Sequence, residues 1–208
     1  SLHEKLHDLL LKFRMQKFAY TADISKAFLR VGLLEDDRDC TRFPGPNHIG
    51  QFDPPVEYRF TSVLFGSTSS PFLLQAVLSH HLDRSSNHYA HILKEGLYVD
   101  NLIGTINSES TLVSVYKNAH TIMEQASMPL HQWNSNNSKL NSLISEDYQQ
   151  ELEQKQKILG LIWDTPTDTL TIKKPNFTDV KTKRQLISNC SKKIFSKSND
   201  LEKIAIKM

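Results

Sequence analysis

Two apolar segments of this chain run straight into an aspartate, and that placement narrows the folds open to it. Phe18, Tyr20 and Ala22 alternate with Ala19 and Thr21 before Asp23, while Leu97 to Val99 lead into Asp100. Alternation over so few residues describes a strand, so each carboxylate is expected at a strand's C-terminal end, held rigidly at the edge of a sheet. Leu102 to Ile106 follow closely enough for a tight hairpin with Asp100-Asn101 as its turn, Asn101 taking the second turn position where a positive φ is required.

Around these segments the pattern alternates between helix and strand. Leu2, Leu6, Leu9, Leu10 and Phe13 recur at helical spacing and predict an amphipathic helix ending near Met15. Asp36 to Asp39 is polar, and Pro44 to Pro55 is rich enough in proline and glycine to exclude a regular element. Tyr58 to Leu64 reads as a strand, Gly66 to Ser70 as a flexible turn, and Pro71 opens a helix over Phe72 to Leu82, where its missing N–H is harmless. From Ser108 a helix runs to Ala126 with Leu112, Val115, Tyr116, Ala119, Ile122 and Met123 as its buried stripe; Met128-Pro129 breaks it. Asn134 to Asn141 and the polar run Glu146 to Lys157 read as a mobile connection or an exposed helix. Ile158 to Trp163 and Thr169 to Ile172 are strands joined through Asp164 to Asp168. The sum is an α+β fold, a sheet with helices packed on one face.

Bulk properties set outer limits. At 208 residues and 38% hydrophobic content, the chain can bury one sizeable core or two small subdomains. A formal net charge of +2 decides nothing about a polyanionic partner, because such a partner responds to a local basic stripe. Lys173 to Lys207 is such a stripe, opposed by Asp179, Asp200 and Glu202. It reads as a phosphate-facing surface or as a solvated tail, and both stand. Cys40 and Cys190 are far apart and lack a metal-ligand spacing, which fits a reducing intracellular compartment. No apolar run nears the roughly 20 residues needed to cross a bilayer, and no signal-peptide pattern precedes the first helix. The N-terminal Ser1 in place of Met fits an excerpt from a longer polypeptide.

Paired acids at strand ends suit phosphoryl or nucleotidyl transfer. That chemistry uses two divalent ions roughly 3.5–4 Å apart, one activating the attacking oxygen and one holding the leaving group, both with hard anionic ligands. Asp23 and Asp100 could supply those oxygens, and Phe28 could lie beside a bound sugar and exclude a 2′-hydroxyl. Either acidic string by itself is more often an ordinary strand end or hairpin turn than a metal site.

Eight strings in order carry a more specific signal. They are Leu9-Leu-Leu-Lys-Phe-Arg-Met-Gln-Lys17, Tyr20-Thr-Ala-Asp-Ile-Ser-Lys-Ala-Phe28, Asp37-Arg-Asp-Cys-Thr-Arg-Phe43, Tyr58-Arg-Phe-Thr-Ser-Val-Leu-Phe-Gly66, Ser69-Ser-Pro-Phe-Leu-Leu-Gln75, Tyr98-Val-Asp-Asn101, Leu130-His-Gln-Trp133 and Leu159-Gly-Leu-Ile-Trp163. In this set the chain resembles the reverse transcriptases of Pao/BEL-type long-terminal-repeat retrotransposons, over roughly Leu6 to Ser188. The resemblance implies a polymerase right hand: over 1–175 a ferredoxin-like palm with partial fingers, and over 176–208 the divergent, basic start of the thumb. By it, Asp23 and Asp100 hold two Mg²⁺ or Mn²⁺ ions, and Asn101 completes the catalytic set. Phe28 gates the sugar, Phe65, Gly66, Ser70, Pro71 and Gln75 support template and nucleotide, and Gly160, Leu161, Ile162 and Trp163 grip the primer. The implied partners are an RNA or DNA primer–template and dNTPs, with protease, RNase H and integrase domains in a parent polyprotein and no membrane. The implied setting is intracellular, cytoplasmic or in a virus-like particle.

Three departures weigh against full activity. Relatives carry a second Asp where this chain has Asn101, and a Lys, a candidate proton donor to pyrophosphate, where it has Gln132. After Ser188 the family's Phe-Asp-Pro continuation becomes Phe195-Ser-Lys. Two expectations follow: an RNA-directed DNA polymerase of reduced activity, or a decayed or domesticated palm that binds nucleic acid without catalysis. Other features count for less. His88 and His91 lack a further ligand for zinc, Trp133 and Trp163 read as buried packing, and Arg38, Arg42 and Arg59 suit phosphate contacts or solvated charge equally.

Overall fold

In the computed structural model of the protein the residues described are 6–47, 54–149 and 152–172. They form two compact units, one up to Trp133 and one from Asn134. The first begins with helix α1 (Leu6–Lys12) and strand β1 (Phe18–Ile24), followed by 3₁₀ turns at Ala27–Arg30 and Glu35–Thr41. Strands β2 (Arg42–Gly45) and β3 (Val56–Arg59), helices α2 (Ser70–Arg84) and α3 (Ala90–Gly96), strands β4 (Leu97–Tyr98) and β5 (Asn101–Ile106), and helix α4 (Glu109–Gln125) come next. Strand β6 (Leu130–Ser135) closes this unit and opens the second, which holds α5 (Ser138–Tyr148), β7 (Lys155–Ile158), β8 (Leu161–Asp164) and β9 (Thr169–Ile172).

The central sheet has the order β4-β5-β1-β6. Strands β1 and β5 are antiparallel and run in register from Phe18 opposite Ile106 to Asp23 opposite Asn101. Tyr20 lies opposite Gly104 in this register, and a Cβ on Gly104 would overlap the Tyr20 Oη and Cζ. Glycine therefore lets the phenol ring lie across β5, where burial pushes its pKa up. Behind the sheet, α4 forms as its sequence requires. Ser108 accepts a hydrogen bond from the Thr111 N–H at its N-terminus, and the whole apolar stripe from Leu112 to Met123 is buried. At its other end the Ala126 N–H bonds the Met123 carbonyl, and His81 Nε2 donates to the Ile122 carbonyl at 2.7 Å, so α2 caps α4 from the side.

Trp133 is buried against Tyr20, Tyr116 and His120, stacked on the first with ring centroids 6.1 Å apart and edge-on to the second at 4.9 Å. Trp163, in the second unit, is fully buried and donates from Nε1 to Asp168 Oδ1 at 2.8 Å. Both tryptophans are thus packing residues, as their apolar neighbours predicted.

Several boundaries differ from the sequence reading, each for a local reason. Helix α1 ends at Lys12 rather than near Met15. Pro44 and Gly45 belong to β2, paired with Glu57 and Val56 as an edge where proline is tolerated. The strand expected over Tyr58 to Leu64 stops at Arg59, because the chain then turns to meet residues 31–33, with Val63 N–H bonding the Val31 carbonyl and Leu33 N–H the Thr61 carbonyl. Ile158 to Trp163 is two strands, split by Leu159 (φ 50°) and Gly160 (φ 88°) in a two-residue hairpin turn. Of the two readings of the asparagine-rich stretch the helix stands, as α5, but the residues that lead into it are not exposed. Asn134, Ser135 and Asn137 are buried, and Asn137 caps α5 by accepting the Leu140 N–H at 2.8 Å. The basic stripe, Cys190 and the expected thumb segment lie outside the described residues.

Candidate active site

The β1–β5 register brings the two acidic motifs together. Asp23 stands opposite Asn101, and the Ile24 N–H bonds the Asp100 carbonyl at 2.8 Å, so the end of β1 is tied to the turn that carries Asp100. Asp23 is half-buried and its pKa is raised, first by desolvation and then by the negative charge of Asp100, with His131 opposing the shift. Two carboxylates that repel one another in a partly dry site fit a hard divalent cation between them, since such an ion relieves the repulsion. Among the described residues no three His, Cys, Asp or Glu side chains gather into a metal-binding group.

The turn is not where the sequence placed it. Tyr98 pairs with Asn101, so Val99 and Asp100 are the two turn residues and Asn101 already belongs to β5. The positive φ falls on Val99, at 56°, not on the asparagine. A β-branched residue in that region carries strain of about 1–2 kcal/mol. Asn101 instead turns its amide towards its neighbour and donates from Nδ2 to Asp100 Oδ1 at 2.9 Å. Lys26 (φ 54°), just past β1, and Gln132 (φ 51°), within β6, are left-handed as well. Thus each of the three segments that frame the acids contains a strained, non-glycine residue, a pattern that functional sites often show.

The residues expected to support a nucleotide lie on the loop and helix that follow β3. Phe28 is buried in the 3₁₀ turn after β1, and exposed Phe65 packs edge-on to it with centroids 5.7 Å apart. Gly66 has a φ of 93°, a conformation that favours glycine. Ser70 donates its hydroxyl to the Leu64 carbonyl, closing the loop on itself, and Pro71 sits in the first turn of α2. Gln75 is buried on α2, and among the described residues its Oε1 accepts no hydrogen bond. Gly160, Leu161, Ile162 and Trp163 form the β7–β8 hairpin of the second unit, which β9 extends to three strands.

Some features resolve towards structure. Arg42 pairs with Asp39 and Glu57, and Arg59 with Glu35 and Asp39, while Arg38 donates from Nε to the Leu33 carbonyl. Hydrogen bonds from Arg42 and Arg59 hold the Asp39 carboxyl below its usual range. The two arginines therefore staple the β2–β3 hairpin to the preceding 3₁₀ turn. The His88 and His91 rings lie 5.2 Å apart, and His91 Nδ1 is engaged with the His88 carbonyl. Sequence reasoning passed over His131, which sits next to Gln132 in a string already under scrutiny; only the adjacency of β6 to β1 exposes its relation to Asp23.

The antiparallel pairing of β1 with β5 and of β4 with β5 thus sets two acids where a strand end meets a hairpin turn. The pattern of the family described as "Reverse transcriptase (RNA-dependent DNA polymerase)" matches residues 1–160, and the chain belongs to that family. Two solved structures are similar in fold. One is the foamy viral protease-reverse transcriptase in complex with an RNA/DNA hybrid, at 16% identity and a TM-score of 0.59 over 93% of this chain. The other is the foamy viral protease-reverse transcriptase dRH in complex with double-stranded DNA, at 18% identity and a TM-score of 0.58, also over 93%. This chain spans 23% and 30% of the lengths of those two chains. No curated protein sequence matches it. Among the described residues no helix is long and apolar enough to cross a membrane.

Proposed function

We propose that this chain is the palm with partial fingers, over 1–175, of an RNA-directed DNA polymerase from a Pao/BEL-type retrotransposon, with the thumb beginning in 176–208. The observation that carries the reading is the register that sets Asp23 beside the Asp100 turn. In this reading Asp23 and Asp100 hold Mg²⁺ or Mn²⁺, and Asn101 is a weakened third ligand. Bound ions of this kind activate a primer 3′-hydroxyl and steady the departing pyrophosphate. Phe28, backed by Phe65, limits the sugar; Gly66, Ser70, Pro71 and Gln75 support the template and incoming nucleotide; Gly160 to Trp163 steady the primer end. The partners are an RNA or DNA primer–template and dNTPs, within a polyprotein that also carries protease, RNase H and integrase domains.

Replacing an acid by Asn101 removes a negative charge beside two dications. A unit-charge pair at about 4 Å and an effective dielectric near 20 interacts by roughly 4 kcal/mol, and 1.36 kcal/mol is tenfold in rate. Primer extension with Mg²⁺ or Mn²⁺ on RNA and DNA templates tests the reading. Asn101→Asp should extend faster than the natural sequence, and equal inactivity of two well-folded proteins would remove the claim that Asn101 limits catalysis.

The hydrogen bond from Asn101 to Asp100 favours a second reading, a palm that binds nucleic acid without catalysis, because it occupies a carboxylate oxygen that a metal would use. Salt-sensitive binding to a primer–template duplex without extension would support it, and absence of binding at low salt would sink it.

A further inference from the structure

We propose that the chain by itself holds one divalent ion at this site rather than two, because the Asn101 amide stands between the two carboxylates and takes an oxygen that a second ion would need. The proposal deepens the polymerase reading and rests on it. Asp23 and Asn101 face each other across β1 and β5. One step further on, the Ile24 N–H bonds the Asp100 carbonyl at 2.8 Å, so the Asp23–Asn101 pair itself exchanges no ladder hydrogen bonds. Pairs of that kind bring their side chains closest on a common face of the sheet, with Cβ atoms about 4.5–5.5 Å apart. The same amide donates from Nδ2 to Asp100 Oδ1 at 2.9 Å. A neutral side chain thus faces one carboxylate and bonds the other.

The donor set limits how many ions fit. Mg²⁺ is held by one or two carboxylates, and water or the oxygens of a bound ligand fill its other positions. Asp23 and Asp100 bring two negative charges, enough to neutralise one dication. Among the described residues no further His, Cys, Asp or Glu joins them. A second dication a few ångströms away would meet the charge of the first with no third carboxylate to offset it. The amide instead sets the positive end of its dipole against Asp100, which eases the repulsion between the acids without metal. A second ion therefore needs oxygens that a bound ligand brings.

Electron paramagnetic resonance of free Mn²⁺ counts the ions that the chain binds at saturation, with no nucleic acid or nucleotide present. The proteins compared are the natural chain, Asn101→Asp, Asp23→Asn and Asp100→Asn, each checked for an unchanged far-UV spectrum. Ions that both carboxylate variants retain are subtracted as bound elsewhere. We expect one acid-dependent ion on the natural chain and two on Asn101→Asp. Two acid-dependent ions on the natural chain overturn the proposal, and this count stands whether or not Asn101→Asp folds. A single ion on a well-folded Asn101→Asp also overturns it, since the amide would then not be what excludes the second. Mn²⁺ binding that depends on neither Asp23 nor Asp100 would overturn the underlying reading instead.

Discussion

Asn101 donates a hydrogen bond from Nδ2 to Asp100 Oδ1 at 2.9 Å, so this amide restrains the acid beside it. The amide and carboxylate are adjacent in sequence, yet they occupy different elements, Asp100 in the turn and Asn101 opposite Asp23 in β5. The contact is favourable by itself and would compete with any cation that used the same carboxylate oxygen.

Asn101→Asp should therefore separate stability from binding. It exchanges a hydrogen bond for a like charge facing Asp23 and Asp100, a loss of about 1–2 kcal/mol for the metal-free protein. Differential scanning fluorimetry should read this as a melting temperature lowered by a few degrees. Millimolar Mg²⁺ should raise the melting temperature of the variant more than that of the natural chain, because a ligand that binds only the folded state stabilises it in proportion to its affinity.

The raised pKa of Asp23 predicts a pH signature. Between its ordinary value and its raised value, the folded state holds more protons at Asp23 than the unfolded state does, so stability falls as pH rises through that window and stays lowered above it. Asp23→Asn removes the penalty. Its melting temperature should exceed that of the natural chain at neutral pH without metal, with the gap closing as pH falls below the ordinary carboxylate range. A gap that persists unchanged at low pH would show that the charge on Asp23 is not the cause.

Val99 should be replaceable by glycine with a gain in stability. Relief of the left-handed strain at φ 56° outweighs the greater freedom of glycine in the unfolded chain, leaving a net of about 0.5–1 kcal/mol. Urea denaturation should show a higher midpoint with an unchanged slope. Should the turn also position Asp100, the same variant would bind Mn²⁺ more weakly.

Gly104→Ala should be costly out of proportion to one methyl group. The new Cβ would overlap the Tyr20 ring across the β1–β5 pair, and overpacking of this kind costs about 1–3 kcal/mol. Combining it with Tyr20→Leu should recover part of the loss, because the shorter side chain vacates the space over residue 104. Simple additivity in the double variant would place the damage elsewhere.

Local pattern carried much of the architecture. Strand β1, helix α4 with its whole buried stripe, and the Pro71 opening of α2 were legible because periodicity and capping are local, and the buried roles of Trp133 and Trp163 could be read from their neighbours. The turn at Val99 and the break at Leu159 were not. A two-residue hairpin is fixed by which residues pair across it, and pairing is a property of two strands at once. Likewise, the asparagines from Asn134 onward look like a solvated linker by composition, yet their amides satisfy backbone groups in a buried strand end and a helix cap.

The same division holds at the site. By itself the sequence determined that two acids end apolar segments, that an asparagine follows the second of them, and that Phe28 and Ser70-Pro71 lie at fixed offsets from them. Only the tertiary structure decided that β1 and β5 lie side by side, that Asn101 turns towards Asp100 while Val99 takes the strain, and that β6 brings His131 near Asp23. Proximity across a sheet depends on strand order and register, which link residues far apart in the chain and so leave no local trace in it.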